Sequence, residues 1–196
     1  MLEISSFRNK IGFAISDIEN IISYFQEKKL TTRSGGYLTI ADAKSGDPLF
    51  CTLIGSVPNE EADIYFYFSS KEKIYCIQGI NKFTSSFQKR NPSKNVWAGS
   101  IKIGRFIFSF SGLSEAQDEI CSIVAALNLN CELPEEFFTV SKRIVDPASN
   151  EDVIAIIKNM KGDVSGTAAN LYGYFEKEEK KYLLEKELRA NNDNKK

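Results

Sequence analysis

The chain contains no histidine, and that single absence removes more chemistry than anything present supplies. Without imidazole there is no Ser-His-Asp or Cys-His nucleophile, none of the usual zinc sites and no histidine ligation of haem. Any catalysis would fall to carboxylates, lysine, tyrosine or cysteine. The four cysteines, Cys51, Cys76, Cys121 and Cys131, form no CxxC pair and sit in apolar or helical surroundings, which predicts reduced, mostly buried thiols. No apolar run approaches the roughly 20 residues of a membrane span. The N-terminus carries acids too early for a signal peptide. A soluble cytoplasmic protein that does not enter a membrane is expected. Excess charge is missing as well: 25 basic residues face 26 acidic ones, so no general field draws in nucleic acid. Neither GxGxxG nor a Walker pattern occurs.

What is present is concentrated in residues 96–129. Two β-rich runs, 96–103 and 105–111, hinge at Gly104 as a tight hairpin. In the second run Phe106, Phe108 and Phe110 share one face and Ile107, Ser109 and Ser111 the other, the pattern of a half-buried strand. Gly112 ends the strand. Ser114 with Gln117 makes a capping box, and Glu115, Asp118 and Glu119 stand where a helix dipole favours acids. Ala116, Ile120, Ile123, Val124 and Leu127 then recur at helical spacing.

Upstream, residues 16–28 read as an amphipathic helix with Ile18, Ile21, Ile22 and Phe25 in one stripe. Leu2, Ile4, Phe7, Ile11 and Phe13 are apolar enough to pack. Residues 37–43 and 49–57 flank a glycine-containing turn as a first hairpin, with Asp42 expected to stabilise the turn. Pro58 and Asn59 introduce a second helix. Ile64, Tyr67, Phe68, Ile74, Tyr75 and Ile77 are its expected sheet-covering side, and Gly79 its stop. Residues 81–95 form the most polar and basic connection.

Leu133-Pro134 marks a boundary, dividing the chain into an α/β core, 1–131, and a helical extension, 132–196. A capping pattern at Ser149 and Asp152 and a long charged helix from about residue 167 to 189 are expected there. The layout of the last two helices is faintly helix–turn–helix. Acids offset the lysines of the second, which argues against DNA binding. Its apolar members Leu171, Phe175, Tyr182, Leu183 and Leu188 fit contact with another subunit or a protein partner.

The order helix, hairpin, helix, hairpin, helix resembles a profilin-like, three-layer α/β (α+β) arrangement: an antiparallel sheet with covering helices. GGYLTIADAKSGDPLF, through Gly36, Ile40, Asp42 and Gly46, is similar to the opening hairpin of the GlcG/HbpS-like family. WAGSIKIGRFIFSFSGL, through Trp97, Gly99, Gly104, Ser109, Gly112 and Leu113, is similar to its glycine-rich second hairpin. The resemblance covers about residues 17–129. It implies oligomeric proteins, non-enzymatic or of unassigned activity, some linked to haem. The missing histidine departs from the haem-linked pattern, so the fold is carried over and no cofactor is expected.

Two readings of function follow. In the first the protein is a non-catalytic binding or assembly module, a homo-oligomer or a partner-binding protein, acting through its sheet edge and C-terminal helices. In the second it binds a small anionic ligand, or is a histidine-free enzyme, through residues 81–95 and the second hairpin. There Ser85, Ser86, Gln88, Lys89 and Arg90, with Lys82 and Lys94, would gather donors around an anion against Trp97 and the Gly99 backbone. No metal site and no catalytic residue is assigned.

Overall fold

A computed structural model describes residues 4–80 and 84–132, together with three helical positions further on, 177, 180 and 184. The described core is an α+β fold in which helices cover both faces of an open antiparallel sheet. In chain order it comprises α1 (Ile4–Glu27), β1 (Gly35–Asp42), β2 (Pro48–Gly55), α2 (Glu60–Tyr75), β3 (Ser100–Ile103), β4 (Phe106–Ser111) and α3 (Glu115–Asn128). The sheet order is β2-β1-β4-β3.

Helix α1 begins at Ile4, well before the expected start near Ser16. The reason is a continuous stripe: Ile11, Ala14, Ile18, Ile21 and Phe25 alternate three and four residues apart, and all are buried. Phe13, expected to pack, is off that stripe and exposed. Strand β4 is central, between β1 and β3, so both of its faces are covered rather than one. Phe108 and Phe110 pack with α1 and α3, and Phe106 packs against the edge of that cluster. Ile107 points the other way into a small cluster with Ala41, Ala43, Ile74 and Ile77. The hairpin at Gly104 forms as expected, its φ of 56° suiting glycine.

In α3 the capping box is present, with the Ser114 N–H donating to Gln117 Oε1 at 3.3 Å. At the first hairpin Asp42 Oδ1 accepts from the backbone N–H groups of Lys44 and Ser45, at 2.9 and 3.0 Å. Those two bonds, Ser45's first, hold the Asp42 carboxyl below its ordinary range.

Helix α2 starts as expected, with Asn59 accepting from the Ala62 N–H at 2.8 Å, and Ile74 and Ile77 are buried as expected, but most of the rest of its expected covering side is turned outward. Phe66, Ser69, Ser70, Lys73 and Ile74 are the buried residues. Ile64, Phe68 and Tyr75 of the expected covering side are exposed. Strands β1 and β4 explain the outward turn, because on this face they present Thr39, Ser109 and Ser111, which suit hydroxyl partners better than aromatic rings. Thr39 Oγ1 and Ser70 Oγ lie 2.8 Å apart.

Strand β3 is shorter than the 96–103 run, because residues 84–98 form a packed strap instead. Two 3-10 turns, Ser86–Lys89 and Pro92–Lys94, shape it. The strap closes the β3 edge: Lys102 N–H donates to Thr84 O at 2.7 Å and Ser100 N–H to Ser86 Oγ at 3.0 Å. The β2 edge has no such cover from a described strand. All four cysteines are free, with Cys121 buried and the others half-buried.

Candidate functional site

Strand β3 begins at Ser100 and the Phe110 N–H still donates to Gly99 O at 3.2 Å, while β4 runs on to Ser111 at the end of the sheet. Lys73 reaches this end from α2 and Asp118 from α3, so the two helix layers meet there. Their Nζ–Oδ2 distance is 2.7 Å and both side chains are 4% exposed. Lys73 Nζ also donates to Phe110 O at 2.9 Å, and Asp118 Oδ1 accepts the Leu113 N–H at 2.8 Å. Burial pushes the Asp118 carboxyl up, against the pull of Lys73. Gly99 makes the meeting possible. A Cβ there would stand 2.7 Å from Asp118 Cβ and 2.8 Å from Lys73 Nζ, and its φ of +124° disfavours any other residue.

The next two carboxylates of α3 pin the strap. Glu115 accepts from Arg90 Nε and from the Ala98 N–H, both at 2.6 Å. Glu119 is fully enclosed and accepts from Ser85 Oγ at 3.2 Å. Burial pushes its carboxyl up to about 8, with the nearby Glu115 charge adding to the rise and the Ser85 bond opposing it.

A cleft of about 560 Å³ opens above the Lys73–Asp118 pair. Tyr65, Phe66 and Trp97 line it, with Lys29 and Arg33 from the α1–β1 connection. Arg33 is fixed there: its Nη1 donates to Gly112 O at 3.2 Å and Leu113 O at 2.8 Å, and its guanidinium lies 5.4 Å from the Phe66 ring centre. A second recess of about 360 Å³ shares Ser69, Lys73 and Trp97.

The residues expected to gather around an anion are divided by the fold. Ser85 and Ser86 are the buried residues at the start of the strap, Gln88 and Lys89 are exposed, and Lys82 lies outside the described residues. Gln88 Oε1 accepts from the Thr84 and Ser85 N–H groups, completing a cap. Arg90 is turned onto Glu115 rather than presented as a fork. Trp97 lines the cleft, in company with Arg33 and Lys73, which sequence reasoning missed, whereas Gly99 is buried at the Lys73–Asp118 pair and lines neither recess. A signal existed for the buried acids. From Ile120 to Ala126 helix α3 carries no charge and only Ser122 is polar, the mark of a helix enclosed all round, so Asp118 and Glu119 could not both face water.

A separate surface lies on the α2 side of β2. Leu53 and Cys51 pair with Tyr37 and Thr39 of β1 and so share the α2 face of the sheet, yet α2 packs over β1 and β4. Leu49 and Leu53 are left exposed, beside a helix whose outer residues Ile64, Phe68 and Tyr75 are exposed too. The expected partner residues Leu171, Phe175, Tyr182, Leu183 and Leu188 lie outside the described residues; Leu184, which is not one of them, is helical and exposed.

Among the described residues no helix is long and apolar enough to cross a membrane, and no group of His, Cys, Asp and Glu side chains could hold a metal ion. No family model matches the chain, and neither a curated protein nor a solved structure is similar to it.

Proposed function

We propose that the protein is a non-catalytic assembly module of the cytoplasm, related to the GlcG/HbpS-like, profilin-like proteins, that joins copies of itself through apolar contacts. The receiving surface is the uncovered part of the sheet, Leu49 and Leu53 of β2, with the outer side of α2. The inserted element is the apolar side of residues 167–189 from a second copy. Leu171, Phe175 and Tyr182 recur there four and seven residues apart, the spacing of one helical side.

The observation that carries this reading is the outward turn of α2. Phe68 is 58% exposed and Leu49 of the neighbouring β2 52%, while α2 buries Ser69, Ser70 and Lys73. Exposed apolar groups clustered on one side are the usual mark of a contact surface. Strand β2 contains no charged residue, so nothing on it repels an apolar partner. Four free thiols fit a reducing compartment.

Light scattering on the full chain tests it. The parent should be larger than a monomer, and Phe68→Glu, Leu53→Lys and Phe175→Glu should each reduce it to one. A monomeric parent at all concentrations, or a mass unchanged in all three variants, contradicts the reading.

A further inference from the structure

The cleft between α2, α3 and the α1–β1 connection has the chemistry of a ligand site, and it is independent of the assembly surface. Its acids are already committed: Asp118 to Lys73 and the Leu113 N–H, Glu115 to Arg90 and the Ala98 N–H. Its remaining cations are not. Lys29 and Arg33 have no ion-pair partner among the described residues, and Arg33 spends only Nη1 on backbone carbonyls. The rest of its guanidinium is held in place by those bonds and by the Phe66 ring, a preorganised donor edge at the mouth. Tyr65, Phe66 and Trp97 supply flat apolar walls.

We propose that this cleft binds a flat aromatic carboxylate, its ring against Trp97 and Tyr65 and its carboxylate on Arg33 with Lys29 alongside. Aromatic walls select the ring. The charge of the acid group follows from the neighbours. The acids beneath the cleft are compensated by Lys73 and Arg90, so Lys29 and Arg33 leave a net attraction for an anion, and the planar donor edge of the Arg33 guanidinium matches the two coplanar oxygens of a carboxylate. The site differs from the one expected in the basic connection, since Arg90 and Ser85 are held inside the fold by Glu115 and Glu119.

The probe is 2-naphthoate, titrated into the full chain by calorimetry with the emission of Trp97, the sole tryptophan, recorded in parallel. Binding with a change in that emission is expected. Arg33→Met should weaken it by about tenfold or more, the usual worth of a charge-assisted hydrogen bond. Lys29→Gln, which leaves the Gly112 and Leu113 contacts intact, should weaken it less. The uncharged 2-naphthamide should bind at least about tenfold more weakly than the acid, and 2-naphthyl phosphate should not bind better. Phe68→Glu should leave the titration unchanged, which separates this site from assembly. The proposal fails if naphthoate gives no binding up to about 5 mM, below any useful recognition. It fails equally if heat appears without a change at Trp97, if the amide binds as well as the acid, if the phosphate binds better, or if both variants bind as the parent does.

Discussion

On the α1/α3 side of the sheet, Leu38, Ile40, Phe108 and Phe110 meet Ile18, Phe25, Ile120 and Val124, and the contact is apolar throughout. One residue along the same strands, on the α2 side, Thr39, Ser109 and Ser111 are buried with Ser69, Ser70 and Lys73. Both faces exclude water, but they are closed by different means. The first is held by area removed from water, which is insensitive to pH and to small changes in direction. The second combines a small apolar cluster around Ile107 and Ile74 with the Thr39–Ser70 hydroxyl pair and one ion pair whose partners come from opposite layers. Stability resides mainly in the first, and the cleft and the exposed side of α2 both adjoin the second. Polar burial on that side releases the aromatic residues of α2 to face outward.

Substitutions on the two faces should separate these modes. Phe108→Ala leaves a cavity in the dry face and should cost about 3–5 kcal/mol in chemical denaturation, whatever the pH. Lys73→Ala strands Asp118 in a buried site and should cost about 3 kcal/mol or more at neutral pH. Lys73→Met combined with Asp118→Leu should recover most of that loss, because the pair then needs no compensation. A double variant as unstable as the single one would mean that the polar face is not closed by the pair.

How much of this was legible in the sequence follows the same division. The stripe of α1, the alternation of β4 and the capping box of α3 all announce themselves, because apolar side chains at regular spacing have one place to go. The hairpins were marked by Gly46 and Gly104. Helix α2 could not be read this way. Its Ile74 does turn inward, but Phe68 and Tyr75 do not, since the strand residues opposite them are hydroxylated and that is visible only once the register is known. The strap shows the same limit. A polar, basic connection looks solvated until Glu115 and Glu119, some 25 and 34 positions away, are found to accept from Arg90 and Ser85.

Glu119 gives a smaller effect with a definite sign. In the folded chain its carboxyl keeps its proton up to about pH 8, whereas the unfolded chain releases it near the ordinary value of 4.5. Between those values the native state binds more protons, so stability should fall as pH rises through that window. Glu119→Gln should flatten the slope and make the protein more stable than the parent above pH 8. An unchanged slope would show that Glu119 is charged in the fold. The least effect on stability is expected from Phe68→Glu, within about 0.5 kcal/mol, because the side chain is mostly exposed and meets the neighbouring Tyr67 ring edge-on.

The outward turn of Phe68 and Tyr75 underlies the assembly surface, and hydroxyl-radical footprinting of the full chain in dilute solution tests it most directly. Rapid oxidation of Phe68 and Tyr75 with protection of Phe66 is the predicted result. Protection of Phe68 and Tyr75 with rapid oxidation of Phe66 would contradict it.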